Sequence, residues 1–155
     1  MNVQQKKQQS GFTIIEVVLV LAIAGLIFLM VFIALPALQR NQRDVQRKND
    51  LGRVKTVIQG YMSSNRGNIP VQGNLGTFKT KYLTPSSEYA DPQGGEYDIL
   101  YKQDGGTPPI GQIYYATNRV CGEDGTFTST DANQRDYALA ITLESQQVPF
   151  CLGSK

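Results

Sequence analysis

Residues 11–35 read GFTIIEVVLVLAIAGLIFLMVFIAL, and the last 19 of them, Val17–Leu35, carry no charge. As a helix those 19 residues extend about 29 Å at ~1.5 Å per residue, close to the ~30 Å hydrocarbon core of a bilayer. The run exceeds the ~7–15 residues of a usual secretory h-region, and Ala34-Leu35-Pro36-Ala37 sets proline where a cleavage site wants a small residue. The segment therefore reads as retained in the membrane. Glu16 stands just inside its apolar edge. A carboxylate at mid-bilayer costs about 2.5–3.5 kcal/mol on insertion scales, less near the interface, so a boundary residue reaching the headgroups competes with a functional acid.

The surroundings shift that balance. Lys6-Lys7, then Gly11-Phe12-Thr13-Ile14-Ile15-Glu16, then the apolar run: this order resembles the class III signal of type IV prepilins. The resemblance implies cleavage by a prepilin peptidase between Gly11 and Phe12, and N-methylation of the new Phe12 amine. It gives Glu16 an assembly role. Residues i and i+4 share a helix face, so Glu16 can neutralise its own Phe12 amine or that of a neighbouring subunit. Such a pair costs several kcal/mol per ion to desolvate, which makes it a register device; the packed apolar helices would supply the cohesion.

Orientation signals conflict. Lys6 and Lys7 precede the span, whereas Arg40, Arg43, Arg47 and Lys48 follow it, and the charge rule alone favours a cytoplasmic C-terminus. The resemblance and the cysteines imply the opposite, and a long following domain translocates largely regardless of charge.

Composition narrows the function classes. The chain has 155 residues, 15 Lys plus Arg, 13 Asp plus Glu, no His, no Trp and two Cys. Imidazole-based metal sites, Ser-His-Asp triads and four-ligand zinc clusters are excluded, and an enzyme is not expected. A net charge of +2 gives no sign of nucleic-acid binding. No GxxxxGK[ST] loop and no N-x-[ST] sequon occurs. Residues 1–60 hold eight basic and three acidic side chains (+5), and residues 61–155 hold seven and ten (−3). Six of seven prolines and twelve of fifteen glycines fall after residue 59. The halves are unlike: breaker-poor first, turn-rich second.

The expected fold is α+β and pilin-like: a long N-terminal helix, its hydrophobic half protruding, packed on a C-terminal antiparallel sheet. The divisions are 1–11 leader, 12–38 hydrophobic membrane or filament-core helix, 39–62 amphipathic helix, and 63–155 globular sheet domain. Gly25 weakens the helix by about 1 kcal/mol relative to Ala, and Pro36 removes the hydrogen bond to Phe32. In the family the stretch between such a pair can unwind on assembly. Leu51, Val54, Ile58, Tyr61 and Met62 recur at helical spacing and should face the sheet. Residues 39–50, QRNQRDVQRKND, read as a solvated neck with Arg40–Asp44 and Asp44–Lys48 pairs, in preference to a lipid-binding patch.

Thr77–Leu83 reads as a short strand or a turn of helix, and Asp91–Tyr97 as a turn feeding a strand. Strands are expected at Tyr97–Lys102, Gln112–Asn118 and Tyr137–Leu143. Tyr97, Tyr101, Tyr114, Tyr115 and Tyr137 should cover the helix–sheet interface. Residues 131–136 with Glu123-Asp124 gather oxygen ligands, but Arg135 intrudes and EF-hand spacing is absent, so a solvated acidic loop is preferred to calcium and no metal or cofactor is expected.

Cys121 and Cys151 are two free thiols or, given export, a disulfide. The resemblance favours the disulfide, a staple framing an exposed variable region. It implies a structural subunit of a type IV pilus, a major rather than minor one by its retained Glu16, serving adhesion, twitching motility or DNA uptake. Its implied partners are copies of itself, the peptidase and methylase, minor pilins, and the assembly platform with its motor ATPases. The precursor would sit in the cytoplasmic membrane and the mature subunit in an extracellular pilus. A type II secretion pseudopilin is the nearest alternative, and a membrane-tethered binding module the more distant one.

Overall fold

The structure is a computed structural model, and it describes residues 11–146 and 149–155. Lys6-Lys7 and most of the leader lie outside the described residues. Two compact units divide between Leu38 and Gln39, and one helix, α1 (Ile14–Ser64), contributes to both.

In the first unit Gly11, Phe12 and Thr13 have no regular structure and α1 begins at Ile14. Every large apolar side chain from Phe12 to Leu38 is exposed, Phe12 and Ile14 at 85%. An all-apolar helix surface with no protein over it is what a lipid- or helix-packed segment requires. Gly25 and Pro36 both lie inside α1.

In the second unit α1 continues to Ser64. Asn65 closes it, its side-chain amide donating to Tyr61 O at 2.8 Å. Arg66 (φ +58°) and Gly67 (φ +79°) both take left-handed backbone and turn the chain so that the Gly67 N–H reaches Met62 O at 2.8 Å, a Schellman-type stop. Helix α2 (Leu75–Tyr82) follows. The alternation in Thr77–Leu83 thus belongs to helix: Leu75 and Phe78 are buried, and the rings of Phe78 and Tyr82 both pack against Tyr61.

The main sheet holds β1 (Asp98–Tyr101), β2 (Gln112–Thr117), β5 (Tyr137–Thr142) and β6 (Pro149–Gly153) in the order β1-β2-β5-β6. β2, β5 and β6 pair antiparallel, but β1 runs parallel to β2, with Ile99 opposite Ile113. The sheet is antiparallel-rich, as expected, with one parallel pair at its edge. Parallel neighbours need a long return, and here ten residues suffice because β1 has only four. The return is about 13 Å, within the ~33 Å reach of ten residues. A separate hairpin, β3 (Val120–Cys121) with β4 (Phe127–Thr128), completes the strands.

Side-chain alternation sorts the sheet. Ile99, Ile113, Tyr115, Tyr137, Leu139 and Ile141 share one buried cluster with Leu51, Val54 and Ile58 of α1. Each fully buried aliphatic side chain contributes about 1.5–3 kcal/mol. Tyr97, Tyr115 and Tyr137 are buried and Tyr101 packs on the cluster. Tyr114 departs from the expected interface: it alternates to the other face, under Lys102. Ala116, Ala138 and Ala140 share that face and are fully buried. Small residues suit this position because Cys121 is bonded there to Cys151, which lies opposite Ala140.

Candidate functional site

The Gly11–Phe12 bond lies outside α1 in exposed chain, with nothing within 4 Å of where a Gly11 side chain would begin. Thr13 precedes the first helical residue. Its carbonyl accepts the N–H groups of Glu16 (3.1 Å) and Val17 (3.3 Å), and its hydroxyl donates to the Glu16 carboxylate at 3.4 Å. Thr13-x-x-Glu16 has the residue types and spacing of a capping box, though only this side-chain contact is formed. An acid in the first turn also complements the positive helix end. Glu16 therefore has a local role in starting α1 that needs no partner subunit, and the T-x-x-E spacing was the signal for it.

A second polar cluster lies in residues 39–50, where a solvated neck was expected. Asp44, Arg47 and Asp50 are buried, Arg47 completely. The Arg47 guanidinium donates to both oxygens of Asp91 (2.8 and 3.0 Å), to Asp44 at 3.1 Å and to Glu144 at 3.4 Å. Arg43 forms two bonds with Glu144, at 2.7 and 2.8 Å. Asp44 accepts the backbone N–H groups of Glu144 (2.7 Å) and Ser145 (2.8 Å). Asp50 accepts from Tyr97 Oη at 3.2 Å. The expected i,i+4 pairs are not formed: Arg40 Nε stands 3.8 Å from Glu144, and Lys48 lies over the Phe150 ring. With Arg43 and Arg47 bound to carboxylates, few of the neck's cations remain for lipid headgroups.

Helix geometry explains the burial. Positions 44, 47, 51, 54 and 58 share one stripe of α1. Its last three residues meet the sheet, and its first two meet the turns at 91–95 and 144–146. Extending the apolar stripe backwards by two turns would have found Asp44 and Arg47. Burial disfavours the charged form of each group, and the partners decide the outcome. For Asp44, hydrogen bonds from Ser145, Glu144 and Arg47 outweigh burial and hold the carboxyl below its usual range. The hydrogen bonds from Arg43 likewise lower Glu144. For Asp50 burial prevails and the carboxyl is raised. Burial also raises the Tyr97 hydroxyl.

The 131–136 loop is closed by its own chain. Asp136 accepts from Asn133 N–H (2.7 Å), Ser154 Oγ (2.7 Å) and Lys155 Nζ (2.9 Å), and these bonds lower its pKa to about 2. Among the described residues no group of three or more His, Cys, Asp or Glu is arranged to hold a metal. The unfolded Asp136 carboxyl titrates near ~3.9. A folded pKa below the unfolded one gives stability that is complete above pH ~4 and lost as pH falls towards about 2. Asp44 and Glu144 act with the same sign; Asp50, raised, acts oppositely. We expect the urea midpoint to fall between pH 4 and 2, and less steeply in Asp136→Asn. Equal pH slopes for the two chains would refute this assignment.

Cys121 and Cys151 are joined by a disulfide, with Cα atoms 5.6 Å apart. The enclosed stretch is not a surface loop throughout, because it includes β5, whose six residues are all buried. None of residues 122–135 is buried, so the exposed part of the stapled region ends there. The site residues thus form separate groups: Gly11, Phe12 and Glu16 at the start of α1, Gly25 and Pro36 within it, and the disulfide on the outer sheet face.

Residues 6–32 match a family model described as the prokaryotic N-terminal methylation motif. That is the class III signal peptide of type IV pilins, and the match spans Gly11, Phe12, Glu16 and Gly25. It supports a type IV pilin-like or pseudopilin protein, a structural class, and implies processing by a prepilin peptidase. With the exposed apolar helix it is consistent with membrane anchoring. Searches of the curated proteins and of the solved structures find no match.

Proposed function

We propose that the protein is a shaft subunit of a type IV pilus. The methylation motif, set on a helix whose apolar surface is wholly exposed, carries this reading. The precursor waits in the cytoplasmic membrane, prepilin peptidase cuts the Gly11–Phe12 bond, and the Phe12 amine is methylated. The assembly platform and its motor ATPase then move the subunit into a filament of copies of itself, with minor pilins. Glu16, four residues from the new cationic end, pairs with that amine or a neighbour's and sets register. Gly25 and Pro36 mark the stretch that yields when helices bundle. Adhesion, motility or DNA uptake belongs to the fibre. The Cys121–Cys151 staple and the self-closed Asp136 loop support the pilus over a secretion pseudopilin.

The test is N-terminal sequencing of the chain made together with a prepilin peptidase. The expected result is a mature chain beginning at methylated Phe12. A chain that still begins at Met1 would favour the tethered module and end the filament reading. Glu16→Ala is expected to be cleaved normally yet to yield few filaments in sheared surface material. Normal assembly of that variant would remove the register role.

A further inference from the structure

A polar cleft of about 480 Å³ opens beside the end of α1, bordered by Tyr61, Asn65, Asn68, Gln134 and Arg135 among others. Its volume falls within the ~300–1,000 Å³ of small-ligand sites, but its lining is mostly polar, unlike the apolar pockets of most such ligands. Arg135 borders it from the 131–136 loop, whose next residue, Asp136, is bonded to Asn133, Ser154 and Lys155. The guanidinium rests over Gly67: a Cβ there would stand 3.5 Å from its central carbon. The guanidinium packs against Gly67 at ordinary contact distance and remains exposed to solvent.

Asn74 and the Tyr61 hydroxyl bond each other across the cleft, but other polar groups along it are unengaged. Among the described residues no carboxylate lies within 4.0 Å of the Arg135 guanidinium, and the side chains of Arg135, Gln134 and Asn68 form no hydrogen bond. Asn65 donates to Tyr61 O, which leaves its amide oxygen free to accept. The other arginines with close acidic partners, Arg40, Arg43, Arg47 and Arg53, show how readily this chain pairs such a cation.

We infer that this cleft binds a carboxylated sugar, a uronic-acid-type saccharide. A guanidinium fork matches a carboxylate with two parallel bonds. Neutral carboxamides present a donor and an acceptor side by side, as neighbouring sugar hydroxyls do. One cation among several amides suits a single negative charge on a hydroxylated frame better than a multiply charged phosphate or a nucleic-acid backbone. The inference concerns the folded subunit and holds whether or not filaments form.

The full chain in detergent micelles, labelled with nitrogen-15, is titrated with digalacturonate, with neutral digalactose and with inorganic phosphate. Digalacturonate is expected to give saturable shifts at Asn68, Gln134 and Arg135. Arg135→Gln, which breaks no hydrogen bond or ion pair of the fold, is expected to weaken binding roughly tenfold or more, the usual loss for a charge-assisted pair. Arg135→Lys should fall between. The inference is overturned if digalacturonate gives no saturable shift, if digalactose binds as well, if phosphate binds equally at the same residues, or if Arg135→Gln leaves affinity unchanged.

Discussion

Arg47→Ala lowers the stability of the domain by about 3–5 kcal/mol, the usual consequence of removing one partner from a buried ion pair. The alanine leaves Asp91, Asp44 and Glu144 facing a void without their shared cation. Asp91 suffers most, because Arg47 binds both of its oxygens. Lysine does not rescue: its point charge cannot span Asp91 and Asp44 with the planar fork that arginine uses. Arg43→Ala, at a half-exposed position with one partner, should cost far less. The check is urea unfolding of the full chain in micelles, read by near-ultraviolet tyrosine dichroism so that helical residues held by detergent do not mask the transition. Equal losses for Arg47→Ala and Arg43→Ala would show that burial of the guanidinium does not matter. A double variant, Arg47→Met with Asp91→Leu, separates the two effects. It should recover much of the loss, since replacing a buried pair by apolar residues is often neutral.

The second large effect concerns the staple. Changing both Cys121 and Cys151 to Ser should cost about 3–4 kcal/mol, the chain-entropy value for a loop of 30 residues. The loss should be cooperative, because the bond ties β3 to β6 across β5 and releases the cover over Ala138 and Ala140. Unfolding midpoints with and without reductant test this. A wild-type chain whose midpoint ignores reductant while mass spectrometry shows two free thiols would mean that the hairpin packs by contact alone.

How much of this the residues announced depends on the kind of signal each element emits. The apolar run and Gly11-Phe12-Thr13-Ile14-Ile15-Glu16 were legible because lipid and a peptidase read linear sequence. Leu51, Val54 and Ile58 were legible because burial repeats with the helix. Asp44 and Arg47 were not, since hydropathy counts a buried, fully paired arginine as a surface residue. β6 escaped because Pro149, Cys151 and Gly153 obscure any alternation. α2 stayed ambiguous because Gly76, Thr77 and Thr80 dilute its propensity; Leu75, Phe78 and Tyr82 fix it through packing. The parallel sense of β1 could not be read either, because a ten-residue turn-rich link permits both directions. The methylation motif covers the N-terminal segment alone, so the cleft at Arg135 has no linear signature.

Within the stapled stretch the contrast is abrupt. Every residue from Asp136 to Leu143 is buried, and none from Gly122 to Arg135 is. A saturating substitution library should therefore show permissive positions up to Arg135, except at Gly125, where a Cβ would run into the Pro149 carbonyl, and an intolerant block beginning at Asp136. A foreign epitope grafted into the first part would be displayed without disturbing the scaffold, whereas the same graft beyond Asp136 would erase it.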